Sequence, residues 1–203
     1  HHRSLEIRSL SKMTDHLHAY QNEAPIGAGR GTTMLLGIFS MKSDKAKRRR
    51  QLIRSSLLSS DYRICSLGEF QKQASDTPNQ RSCQIPYTFV IGAGDNDRPT
   101  DHNDEEPVTL DSDQDGETED DCTYLNIREN MEHGKSPTFL KYVSSIAKTN
   151  GLDFVAKIDD DTVMAMPLLL EFINDDLPPA PYNRRIYGGS FVPSRKRQHI
   201  YAQ

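Results

Sequence analysis

Two observations predict an α/β fold with a mixed, largely parallel sheet flanked by helices. Short apolar runs of strand length alternate with longer runs of helical period, which makes the strands parallel. An acidic triplet, Asp159, Asp160 and Asp161, also follows directly on one of the apolar runs. In an open α/β sheet the carboxyl end of a strand is where ligands bind.

Order is expected to begin at Thr33, after a weakly ordered stem or linker over 1–32. Leu5, Ile7, Leu10, Met13 and Leu17 give that segment a marginal helical period, which Gly27, Gly29 and Gly31 interrupt. Gly27-Ala28-Gly29 is not a dinucleotide fingerprint, since Thr32 stands where the third glycine belongs and the run precedes a strand. Residues 34–39 read as a buried first strand. Asp44 is placed as the cap of a helix running through Leu58, with Ala46, Ile53, Leu57 and Leu58 as its apolar positions. Residues 87–91 read as a second core strand and 123–127 as a third. Ser136 then Pro137 predict a cap and first helical residue. Phe139, Leu140, Val143, Ile146 and Ala147 share one face, and Asn150-Gly151 ends that helix. Residues 154–158 form the strand that delivers the triplet. Pro167 opens a helix over 168–172 that Leu177-Pro178-Pro179 terminates, and 185–191 read as a last strand.

The 203 residues include 25 basic and 29 acidic ones, a formal net charge of −4. That balance argues against a dedicated nucleic-acid binder. It also conceals an asymmetry. Residues 95–121 hold thirteen acidic side chains and one basic one, Arg98, with Val108 and Leu110 nearly alone as apolar residues. Such a stretch buries too little to offset its ordering entropy, so a disordered acidic insertion is expected there. The remainder has 24 basic and 16 acidic residues, net +8, which suits an anionic ligand. No stretch approaches the roughly 18 apolar residues of a membrane span. Cys65, Cys83 and Cys122 are too few for a disulfide framework or a zinc site; one pair can form in an oxidising compartment, leaving an odd thiol.

Four motifs carry chemistry. Three adjacent carboxylates repel one another unless a cation or solvent compensates. Hard oxygens of this kind suit Mg²⁺ or Mn²⁺, which neutralises a diphosphate leaving group. A solvated acidic turn is the plain alternative. The basic run from Lys45 to Arg54 follows the first strand, where arginine would pair with phosphates; its plain alternative is a solvated basic face. Gly134-Lys135-Ser136 lacks the upstream glycine of a P-loop, because Glu129 stands there, yet Lys135 opens a helix and can meet an anion. Asp111, Asp113, Asp115 and Gly116 match the first half of an EF-hand loop, but Cys122 replaces the bidentate glutamate, so a charged linker is expected.

Taken in order, these pieces resemble glycosyltransferase family 31, the β-1,3-galactosyltransferase-like enzymes. Residues 35–38 resemble the family's opening strand. Residues 49–57 resemble its RRxxIRxTW helix, with Leu57 in the place of Trp. Residues 89–92 resemble its FLLG strand. Glu129, Asn130 and Met131, with Lys135 and Ser136, resemble its NLTxKT helix start with one residue inserted. Residues 154–161 are similar to its YVLKTDDD, the DxD motif, and 186–189 to the strand that follows.

The resemblance implies a GT-A, Rossmann-like fold over 33–203, incomplete at its C-terminus. It implies an inverting, metal-dependent hexosyltransferase that moves galactose or N-acetylglucosamine from a UDP-sugar to a hydroxyl of a glycan or glycoprotein. Asp161 and Asp159 would hold Mn²⁺ (or Mg²⁺), and Arg49, Arg54, Lys135, Asp159 and Asp160 would line the donor. The family's catalytic base lies well past the DxD strand and is expected beyond Gln203. No nucleic-acid partner is expected. A lumenal Golgi location is implied, with membrane attachment only through an anchor outside this chain. The alternative is a degenerate or truncated transferase-like binding protein without catalysis.

Overall fold

The computed structural model describes residues 31–76, 82–94, 108–113, 115–129 and 134–178, with positions 182, 183, 186 and 188. The expected stem lies outside the described residues except for Gly31 and Thr32. So do residues 95–107 of the acidic stretch, and the expected last strand apart from Ile186 and Gly188.

The α/β expectation holds. Strand β1 is Met34–Phe39, helix α1 Asp44–Ser56, β2 Ile64–Ser66 and α2 Leu67–Asp76. Then come β3 Ile85–Gly92, β4 Thr109–Leu110, β5 Cys122–Leu125, α3 Lys135–Asn150, β6 Phe154–Asp159 and α4 Met166–Asp175. The six-stranded sheet has the order β4-β5-β3-β1-β6, with β2 paired to β3. β1 pairs in parallel with both β3 and β6, and β3 pairs in parallel with β2 and β5; among the described strands only β4 runs antiparallel, against β5. β2 pairs with the first residues of β3 and β5 with its last, so both take the edge of β3 that β1 leaves free.

β1 is continuous in hydrophobicity because both its faces are covered. Met34, Leu36 and Ile38 pack with Ile53 of α1 and Leu170 and Ile173 of α4. Leu35 and Phe39 point the other way, to Phe70 of α2 and Phe139 and Val143 of α3. Helices therefore lie on both faces of the sheet, α1 and α4 on one and α2 and α3 on the other. Gly37 shares the second face, where a Cβ would stand 2.5 Å from the Phe139 ring. That ring is buried and meets Phe39 edge-on at 5.5 Å. Gly37→Ala is expected to destabilise the fold by about 1–3 kcal/mol through overpacking, read as a lowered urea midpoint at unchanged slope.

Several boundaries differ from expectation. Ser43, not Asp44, caps α1, its Oγ accepting from the Ala46 amide at 3.3 Å; Asp44 is the first helical residue. The helix stops at Ser56 and continues only as a 3₁₀ turn, Leu58–Ser60. α3 begins at Lys135 behind Gly134, whose φ of 103° is a conformation glycine tolerates. Pro137 still falls in the first turn, where a missing amide costs nothing. Gly151, at φ 63°, ends α3 as expected. Cys65 of β2 is bonded to Cys83, with 5.9 Å between Cα atoms, and Cys122 is the odd thiol. Closing a loop of 18 residues limits the unfolded chain by about 3 kcal/mol in the entropy model.

The acidic stretch needs correction over its second half. β4 pairs with β5, and Glu117, Glu119 and Asp121 bond to side chains of α1. The expectation counted only apolar burial and left out the cations opposite. Residues 115–121 thus form an acidic arm laid along α1. No described helix is long and apolar enough to cross a membrane.

Candidate metal and nucleotide site

The register of β6 on β1 sets Asp159 opposite Phe39. The chain then turns, with the Asp160 amide donating to the Phe39 carbonyl at 3.0 Å and the Thr162 amide to the Asp159 carbonyl at 3.0 Å. Asp160 points inward, its side chain 9% exposed, while Asp159 is 47% and Asp161 64% exposed. The turn thus shows its first and third carboxylates outward and withdraws the second.

Asp160 is held at both oxygens. Its Oδ2 accepts from Ser40 Oγ at 2.8 Å and its Oδ1 from Arg49 Nη1 at 2.8 Å. Arg49 also stands 4.0 Å from Asp161. Asp159 differs: its Oδ1 is shut off from solvent yet accepts no hydrogen bond from a described residue, with Lys157 Nζ 3.8 Å away. Lys157 itself lies over the Phe39 ring, 4.5 Å from its centroid. A carboxylate oxygen sealed from solvent without a hydrogen bond is a donor that a hard divalent cation would satisfy, although Asp159, Asp160 and Asp161 do not bring three donor atoms within 4.8 Å of one another.

The other expected donor-side cations are placed differently. α1 runs back from the carboxyl end of β1, so each turn lies further from the triplet. Arg49 reaches Asp160. Arg54, just over a turn later, is bidentate to Asp121 at 2.7 and 2.6 Å and also pairs with Glu119. Its guanidinium stacks 4.8 Å above the Phe89 ring. The Asp121 hydrogen bonds raise its pKa against the effect of burial. Lys135 is 2% exposed and donates to the Ser40 carbonyl and to both Glu129 oxygens, at 2.7 and 3.0 Å. Burial lowers its pKa, with Glu129 acting the other way. Glu129 Oε2 in turn accepts the Gly92 amide at 2.9 Å, which fixes it over the end of β3. A diphosphate would reach Arg54 or Lys135 only by displacing these partners. Of the expected site residues, Arg49, Asp159, Asp160 and Asp161 are brought together.

Ser40, Arg50, Glu119 and Glu129 were not among the expected site residues. Arg50 is 1% exposed in the middle of a run that reads as a solvated basic face. Its spacing of four from Arg54 is the one signal that both share a face.

Among the described residues, Glu119, Asp121 and Cys122 are the one group of three possible ligands whose donor atoms all lie within 4.8 Å of one another. It fits a metal poorly. Both carboxylates are held by Arg50 and Arg54. Burial, aided by the Glu119 and Asp121 charges, pushes the Cys122 thiol up to about 12, so it keeps its proton at neutral pH. The half EF-hand is also a turn: Asp113 Oδ1 accepts the amides of Asp115 and Glu117 at 2.9 and 2.8 Å, and Lys42 lies 3.7 Å from Asp113 and 3.8 Å from Asp115. Two open clefts, of about 400 and 430 Å³, are lined by none of the triplet residues.

Comparison with protein-family models, with characterised proteins and with solved structures finds no match to this chain.

Proposed function

We propose that this chain is the donor-binding part of a metal-dependent, inverting glycosyltransferase. It would transfer a hexose, galactose or N-acetylglucosamine, from a UDP-sugar to a hydroxyl of a glycan or glycoprotein. The observation that carries this reading is the acidic turn at the carboxyl end of β6, with Asp160 anchored inward and Asp159 and Asp161 facing out. Asp161 and Asp159 would hold Mn²⁺ (or Mg²⁺), which supplies neutralisation of the departing diphosphate. Arg49 holds the turn and stands beside Asp161, within reach of a phosphate oxygen on the same side. The buried Lys135–Glu129 pair keeps the ends of β1 and β3 fixed beneath the site. The Cys65–Cys83 bond suits an oxidising lumen such as the Golgi.

Calorimetry with UDP, with and without Mn²⁺, tests the reading. Binding is expected only with Mn²⁺. Asp161→Ala is expected to weaken it at least about tenfold, the loss already found for partners one layer outside a metal. A folded parent chain without Mn²⁺-dependent UDP binding overturns the proposal.

A second reading, binding without catalysis, is favoured by the commitment of Arg54 and Lys135 to internal carboxylates. It separates from the first by its outcome: UDP binds in the presence of Mn²⁺, but no UDP is released from a UDP-sugar when an acceptor is supplied.

A further inference from the structure

We propose that Ser40 is a positioning residue for the acidic triplet and that, through Arg50, it ties the triplet to Glu119 on the acidic arm. The positioning half rests on the reading of Asp159 and Asp161 as the outward-facing ligands. The tie to the arm stands on geometry alone.

Ser40 follows β1 directly, and Phe39 is in register with Asp159, so Ser40 and Asp160 meet across the end of the sheet. The Ser40 side chain is sealed from solvent, as is Arg50; each residue is 1% exposed. Arg50 Nη1 lies 3.0 Å from Ser40 Oγ, which lies 2.8 Å from Asp160 Oδ2. The direction of these bonds is fixed by chemistry. Guanidinium only donates, a carboxylate only accepts, and the hydroxyl has one proton. The proton of Ser40 must therefore point at Asp160 while its lone pair receives Arg50. A hydroxyl polarised by a cation on one side donates more strongly to the anion on the other.

The same guanidinium anchors elsewhere. Its Nη1 also donates to the Met41 carbonyl at 2.7 Å, and its Nε and Nη2 face Glu119, Nε at 3.3 Å from Oε2 and Nη2 on Oε1. The path Glu119, Arg50, Ser40, Asp160 is thus unbroken. With Arg49 on its second oxygen, Asp160 has no free rotation left, and its two neighbours must project outward. Loosening the Ser40 bond frees one Asp160 oxygen and lets the turn relax. Movement of the arm would reach the turn by the same route.

Two measurements test this. The first is Mn²⁺-dependent UDP affinity of the parent, Ser40→Ala and Ser40→Thr. Ser40→Ala is expected to lose about tenfold, as a partner outside the ligands does, and Ser40→Thr, which keeps the hydroxyl, to recover most of it. The second is a double-mutant cycle in urea without metal, pairing Glu119→Ala with Asp160→Asn. The unfolding constants are expected to be non-additive by about fivefold or more, and to become additive in a Ser40→Ala background. An additive cycle with Ser40 present overturns the tie to the arm whatever the metal does. A coupled cycle with unchanged affinity in Ser40→Ala overturns the positioning role. A parent chain without Mn²⁺-dependent UDP binding overturns the site reading and the positioning role together, and the cycle still decides the tie.

Discussion

Glu129→Ala is expected to cost the fold about 3–5 kcal/mol, the loss found when one partner of a buried ion pair is removed. Lys135 is sealed inside the protein, and its ammonium has two acceptors, the Ser40 carbonyl and the Glu129 carboxylate. Only the second carries charge. Without it the ammonium stays buried with a single neutral acceptor, and the Gly92 amide loses its partner as well. The comparison that isolates the cause is the double variant Glu129→Leu with Lys135→Met. Removing both charges together is often close to neutral, so the double variant is expected to be more stable than Glu129→Ala alone. A single variant that loses less than about 1 kcal/mol by urea denaturation would show that Lys135 does not depend on its carboxylate.

The same pair gives a pH signature. Burial holds Lys135 below the ordinary lysine value of 10.5, and Glu129 opposes that lowering. The folded chain therefore gives up this proton at lower pH than the unfolded chain does. Between the two values the unfolded chain binds more protons, so stability rises with pH across that window. Glu129→Ala removes the opposing effect and lowers the folded value further. Its stability is expected to begin rising at lower pH than that of the parent, in denaturation midpoints measured from neutral to alkaline pH.

The elements that were legible share one property: their patterns are written in consecutive residues. β1 and the core of β3 are apolar on both faces, and α3 repeats its buried positions over four turns. β2 was missed because three residues cannot show a period, and α2 because Leu67 and Phe70 are, among its described side chains, the two it sends to the core. The acidic triplet was legible because charge at the end of a strand is unusual in itself. Which carboxylate turns inward was not legible. That depends on Ser40 and Arg49, distant in sequence and joined to Asp160 only by the pairing of β1 with β6. Arg54 and Lys135 were singled out by their place in a motif. Their partners Asp121 and Glu129 are supplied by segments that composition alone marks as loops.

The acidic arm makes that point measurable, because one of its carboxylates is expected to matter far more than its neighbour. Glu119→Ala is expected to destabilise the fold by about 3 kcal/mol, the lower end of the range for a buried charge left without its partner. Arg50 would keep the Met41 carbonyl and the Ser40 hydroxyl, both neutral acceptors, and would lose the carboxylate that faces its other side. Glu117→Ala, two residues earlier, removes a pair with Lys47 in which both side chains are largely open to solvent, and is expected to leave the denaturation midpoint nearly unchanged. Composition treats the two glutamates alike; burial of the opposing cation separates them. Acid should repeat the result. Burial pushes Glu119 up, but its bonds to Arg50 and Arg54 outweigh that and leave it below the ordinary carboxylate value. A carboxylate lowered in the folded state contributes stability above its unfolded pKa and loses it as pH falls through the folded one. The parent should therefore lose stability in acid more steeply than Glu119→Ala, and the two denaturation curves should draw together as pH falls below the ordinary glutamate value. Equal losses for Glu117→Ala and Glu119→Ala, or parallel acid profiles, would return the arm to the solvated loop that its composition suggests.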